Sequence, residues 1–200
     1  MGLIENSVLR IKTLNVSDYA LISIFGALMA LTTAYAVPLP FGGLTHFGNM
    51  VMWTAAILLG GLVGGLAGGI GGMIVDILEA PIWAPFTPFC KLVSGLACGL
   101  VAGDSTKVNT VKIVRIIAAT IVGWAFNILA YAPVYYILID YPSMVAWLLL
   151  FFGPTPATIV TLVGTPILSL GVLKAYPGIS TYRDGIKNRI KQYKEAKAKK

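Results

Sequence analysis

The feature that most constrains this chain is a succession of apolar stretches, most near the length that crosses a bilayer, broken by short polar or proline-rich turns. They run from about Tyr19 to Val37, His46 to Leu59, Leu62 to Leu78, Phe86 to Ala102, Ile113 to Ile139 and Thr155 to Leu173. A hydrocarbon core about 30 Å thick needs ~20 apolar helical residues. Only 12% of the residues are charged and 57% are hydrophobic, against ~25% charged in a soluble domain. So few charges cannot coat a water-facing globule. The sequence predicts an all-α integral membrane protein, a bundle of six transmembrane helices with N and C termini both cytoplasmic. Residues 1–180 would form the six-helix membrane domain and 181–200 a basic cytoplasmic tail.

Orientation follows from the positive-inside rule. With the N-terminus inside, Arg10, Lys12, Lys107, Lys112, Arg115, Lys174 and the tail all fall inside. Only Lys91 is left out, so fourteen of fifteen basic residues obey the rule. Eight of the fifteen lie between Arg183 and Lys200. A basic tail beside a membrane points to topology and anionic lipid rather than nucleic acid. That tail places Tyr182, Ile186, Ile190 and Tyr193 at helical spacing. It reads either as an amphipathic helix on the inner leaflet or as a solvated end. Ala34-Tyr35-Ala36 looks like a signal-peptidase site, but the preceding run is long for a signal core and further spans follow at once. The apolar segment 143–152 is too short to cross and is expected to be re-entrant or interfacial.

Gly60, Gly64, Gly68 and Gly72 recur every four residues, with Gly61, Gly65 and Gly69 beside them. No strand precedes this run and no polar helix follows it, so it is not a phosphate loop. It reads as a smooth helix surface that lets neighbouring backbones approach. Span one carries a second small-residue stripe, Ser23 with Ala27 and Gly26 with Ala30 and Ala34. From spacing alone that stripe either packs within the bundle or docks a partner subunit.

An ionisable residue within a span is a functional candidate because burying its charge is expensive. Lys91 is the clearest case, and Asp76 and Glu79 are its candidate partners at the same outer level. His46, Asn49 and Trp53 share one face of span two, and Trp124, Asn127, Tyr131 and Tyr135 form a stripe on span five. Aromatic walls with a few amide and charged groups suit a flat heterocyclic ligand. Trp83 in the outer loop adds another ring, and the aromatics are equally read as an interfacial belt. Cys90 and Cys98 form no CxxC pair and read as packing residues, so no metal is expected. P-loop, HExxH and GxSxG motifs are all missing, and nothing argues for an enzyme.

The stretch from Gly42 to Gly103 carries, in order, Gly48-Asn49, the small-residue run from Leu59 to Gly72, Asp76, the loop Ile82-Trp83-Ala84-Pro85, and then Thr87, Lys91 and Gly95. In this it resembles the S components of energy-coupling factor (ECF) importers, in the subgroup named for riboflavin transport. Asn49 stands where that pattern usually has Asp, and Gly61 where Pro often follows the Gly, which leaves the vitamin open. The resemblance implies a multi-pass cell-membrane subunit that captures a small water-soluble vitamin or precursor from outside, riboflavin-like as a first guess. It implies a transmembrane T component and ATPase subunits as partners, with ATP used by those partners and no cofactor on this chain. Lys91, Asn49, Asn127, Trp53, Trp83, Trp124, His46, Tyr131, Asp76 and Glu79 are the expected substrate-binding residues. The resemblance also favours partner docking through Ser23, Gly26, Ala27 and Ala30. Two other classes compete: a standalone carrier or channel, which would usually show two similar halves, and a lipid-active membrane enzyme, which would need a catalytic constellation.

Overall fold

The computed structural model describes residues 9–35, 37–38, 44–45, 47–138, 156–176 and 178–199. Each apolar stretch becomes one helix. These are α1 (Val16–Ala34), α2 (Gly48–Leu59), α3 (Gly61–Glu79), α4 (Thr87–Ala102), α5 (Thr110–Leu138) and α6 (Pro156–Ala175), and the basic tail adds α7 (Gly178–Ala198). The only sheet among the described residues is a two-residue antiparallel pairing between α1 and α2, β1 (Val37–Pro38) with β2 (Leu44–Thr45). His46, the tip of the Phe41 loop and the 143–152 segment lie outside the described residues.

Four helices, α1, α3, α5 and α6, are long and apolar enough to cross a bilayer; α2 and α4 are shorter apolar helices. At 1.5 Å per residue, α2 and α4 reach only ~18 and ~24 Å. The short α2 is enclosed by protein: Met52 through Leu59 are all buried. The outward faces of the long helices are apolar, with Ile24, Leu28 and Leu31 on α1, Ile117 and Ile121 on α5, and Ile159, Val163 and Ile167 on α6 all exposed. That is a surface suited to lipid rather than water.

The glycines of α3 make it the central helix, packed against α1, α2 and α4. A Cβ on Gly64 would strike Ala56 of α2, and one on Gly71 would strike Gly26 of α1. On the third face, Gly61 and Gly65 meet Gly95 and Gly99 of α4 so closely that no side chain fits on either helix. Lipid chains are as apolar as leucine, so this close backbone packing is what drives the helices together. Gly60 has φ +105, a conformation that suits glycine, and it lets α2 turn directly into α3.

The first half of the tail is neither a solvated end nor a helix lying free on a leaflet, while most of residues 191–199 are exposed. Ile179, Arg183 and Ile186 of α7 are buried against the bundle. Arg183 donates to the carbonyls of Ile57 and Leu58 at 2.9 Å each and pairs with Asp104 at 3.0 Å. The last carbonyls of a helix have no partner within it, and this guanidinium supplies one for α2. Arg10 does the same for Leu59 at 2.6 Å. Burial pushes the Arg183 guanidinium down to about 10, with Asp104 opposing the shift, so it stays charged at neutral pH.

The span-one stripe divides between two faces. Gly26 turns inward, buried against Ala67 and Gly71 of α3, because only a residue without a side chain permits that approach. Ser23 and Ala27 are exposed, and Ala30 lies at the margin between the two faces.

Candidate functional site

The polar side chains of the α2 N-terminus, the α3 C-terminus and the α4 N-terminus meet at one end of the bundle. Lys91 lies one turn into α4 and is only 7% exposed. Its Nζ donates to Asn49 Oδ1 at 2.6 Å and to Asn127 Oδ1 at 3.2 Å. It also sits 5.4 Å from the ring centroid of Tyr131, within the ~6 Å reach of a cation–π contact. Helices α2, α4 and α5 thus each contribute to one ammonium group.

The expected ion pair between Lys91 and Asp76 does not form. Asp76 instead accepts a short hydrogen bond from the Thr87 hydroxyl, whose oxygen is 2.8 Å from the Tyr131 hydroxyl. Thr87 stands one turn before Lys91 on the same face of α4, so it comes between the carboxylate and the rest of the cluster. Glu79 is exposed at the end of α3 and Asp76 is half-buried. The ammonium is therefore held by two neutral amide oxygens and a ring face. A lysine ammonium has three donors, and two are used here among the described residues.

The aromatic candidates separate by role. Trp83 is held by successive tight turns, its N–H donating to Ala80 and its carbonyl accepting from Phe86. Its ring meets Tyr131 edge-on, with centroids 6.3 Å apart at 62°. Trp124 is half-buried on α5, one turn from Asn127. Trp53 is fully buried, and its indole N–H donates to Ser94 at 2.7 Å, which in turn donates to the Gly123 carbonyl at 2.8 Å. It is a core strut beneath the cluster rather than an open wall, because its polar edge and both faces are enclosed. The side chain of Tyr135 lies outside the described residues.

Two members of this network, Thr87 and Ser94, are absent from the residues expected to bind substrate. Their signal was present in the sequence: Thr87, Lys91 and Ser94 fall at i, i+4 and i+7 on one face of α4. A single polar stripe on an otherwise apolar helix is the pattern that marks an inward face. The buried hydroxyls Thr158, Thr161, Thr165 and Ser169 run down α6 with the same periodicity, and α6 packs on α2 and α5.

Known proteins match this chain in three ways. A sequence model described as "ECF-type riboflavin transporter, S component" matches residues 13–176. An uncharacterized protein from Pyrococcus woesei is 33% identical over 113 residues, which are 56% of this chain and 73% of that protein. A solved structure described as the S component of a bacterial ECF transporter superposes with a TM-score of 0.55 at 16% identity. That superposition covers 81% of this chain and 96% of the other; at such identity it speaks for the fold alone.

Proposed function

The chain belongs to the ECF-type riboflavin transporter S component family, and from that premise we propose that it captures a small water-soluble vitamin, riboflavin-like in shape, for an ATP-driven importer in the cell membrane. The family is one of multi-pass transporter subunits, not enzymes. In this reading the chain crosses the membrane six times with both termini cytoplasmic, α2 and α4 crossing as short helices shielded by their neighbours. The chain itself carries no cofactor; a T component and ATPase subunits dock on it and use the ATP. Docking would run along the exposed Ser23 and Ala27 face of α1, with Ala30 at its margin and Gly26 kept for packing.

The observation that carries this reading is the Lys91 cluster. An unpaired lysine at mid-membrane costs ~2.5–3.5 kcal/mol. Two neutral amide oxygens and a ring face offset part of that cost and leave a donor for a carbonyl or anionic edge on a ligand. Trp83, Tyr131 and Trp124 flank the cluster with rings on which a flat heterocycle can stack. Asn49 and Asn127 each retain an amide N–H₂ to read polar edges. His46, Asp76 and Glu79 remain candidates at the rim.

Native mass spectrometry of the detergent-purified chain tests the proposal, followed by tryptophan fluorescence titration with the retained compound and with riboflavin. The expected result is one small heterocyclic molecule held per chain, with quenching on rebinding. A chain that retains no small molecule and shows no quenching with any water-soluble vitamin would overturn it. Uptake by the chain alone in vesicles, without partners or ATP, would point to a standalone carrier instead.

A further inference from the structure

The family match ends at residue 176, and α7 begins just beyond it at Gly178. This helix therefore stands outside the part of the chain that the family accounts for, yet it is bonded into the bundle through buried groups. Two of its side chains converge on one carboxylate. Asp18 is fully buried at the first turn of α1. It already closes a capping box, accepting the Asn15 backbone N–H at 3.0 Å while the Asn15 side chain accepts from its own backbone N–H at 3.1 Å. From α7, Arg189 pairs with the same carboxylate at 2.6 Å and Tyr182 donates its hydroxyl to it. Arg189 also donates to the Thr13 carbonyl at 3.1 Å. Burial and the Asp18 hydrogen bond both raise the Tyr182 phenol, so it remains a donor across the physiological range. At the position next to Tyr182, Arg183 fixes α7 to the end of α2 and to the turn after α4, through Ile57, Leu58, Gly103 and Asp104.

We propose that α7 is a clasp that ties the start of α1 to the ends of α2 and α4, and that Arg189 and Tyr182, acting through Asp18, position the α1 face that receives the transport partner. The second half of this proposal rests on the reading of α1 given above. The geometry gives the reason. Helix α1 is pinned near its middle by the Gly26 contact with α3 and at its start by Asp18. Ser23 lies between these two pins, roughly 7.5 Å along the helix from Asp18. Without the clasp the first two turns of α1 pivot about Gly26, and the Ser23 end of that face shifts with them. The polar partners of Lys91 come from α2 and α5 and none from α1 or α7, so ligand capture stays independent of the clasp.

The test compares Arg189→Met and Arg189→Lys in the full chain, by hydrogen exchange and by assembly with the T component and its ATPases. Arg189→Met is expected to speed exchange of residues 15–22 at least about tenfold, through loss of the charge-assisted hydrogen bonds to the buried Asp18 carboxylate and the Thr13 carbonyl. Residues 87–98 of α4 and the ligand titration should not change. Arg189→Lys, which keeps the charge, should restore most of the protection. Assembly should weaken in Arg189→Met and recover in Arg189→Lys. Unchanged exchange at 15–22 in a folded Arg189→Met protein would overturn the clasp. Faster exchange with undiminished assembly would overturn the positioning role. If the unaltered chain itself fails to assemble with any T component, the importer reading has failed, and the exchange comparison still decides whether α7 clasps α1.

Discussion

Two buried cations sit at opposite ends of α2, and they are treated differently. At one end Arg183 is 4% exposed and is surrounded by three carbonyl oxygens and the Asp104 carboxylate. At the other, Lys91 is 7% exposed and has two neutral amide oxygens and a tyrosine ring. Four of the five donors of the first cation are matched by its own protein; the second has two partners for three donors. An arginine presents a planar fork of five donors and suits the crowded ends of two helices, whereas a lysine offers a compact point charge. On the proposed reading the contrast separates a joint, which is stabilised when its groups are matched, from a receptor, which works only if something is left to be matched by a ligand.

The largest effect should come from breaking the Arg183 end. Arg183→Met leaves the Ile57 and Leu58 carbonyls without their donor and removes the link from α7 to Asp104. Asp104 is exposed, so no buried charge is stranded; each carbonyl that loses its charged donor costs ~1.5–3 kcal/mol, and thermal unfolding in detergent should show a loss of that order. Folded Arg183→Met protein should bind ligand with unaltered affinity, because no Lys91 contact involves α7. A loss below ~1 kcal/mol would mean that water satisfies those carbonyls and that the two ends differ less than their geometry suggests.

The opposite pattern is expected at the other end. Lys91→Met keeps most of the volume and removes the charge. Ligand binding should weaken ~10- to 100-fold, the worth of a charge-assisted hydrogen bond. Stability of the ligand-free protein should hold or rise, since a buried cation is replaced by an apolar chain. Fluorescence titration and thermal unfolding read the two arms. Unchanged affinity would make Lys91 a second structural joint and move the ligand elsewhere.

The helices were legible in the sequence because apolar length and prolines signal them directly: the run expected from Leu62 to Leu78 is the helix Gly61–Glu79, and that from Phe86 to Ala102 is Thr87–Ala102. The polar partners were less so. Lys91 stood out as a lone charge, but its pairing with Asn49 and Asn127 depends on how three helices rotate, which spacing along one chain does not fix. Charge alone suggested Asp76; Thr87, one turn away on α4, holds that carboxylate instead. The α1 stripe shows the same limit. Spacing cannot tell Gly26, which faces α3, from Ala27, which faces outward, because adjacent residues on a helix differ by only ~100°. The tail showed its amphipathic pattern but not its target, since the carbonyls that Arg183 caps are backbone groups with no signature in sequence.

The smallest and most discriminating effect concerns the Thr87–Tyr131 contact, which joins the carboxylate side of the cluster to the ammonium side. Tyr131→Phe removes only the hydroxyl that meets Thr87 at 2.8 Å and keeps the ring that faces Lys91 and Trp83. Thr87 keeps its own bond to Asp76. The net cost should be ~0.5–1.5 kcal/mol, or about a two- to tenfold loss of affinity if the ring orientation matters to the ligand. Thr87→Val removes the same contact from the other side and also frees Asp76. If the contact serves to orient the ring, the double variant should bind no more weakly than Thr87→Val alone, and a double-mutant cycle read by fluorescence titration would show that coupling. Strict additivity would mean that the Tyr131 ring is placed independently of Thr87 and that the two halves of the cluster act independently.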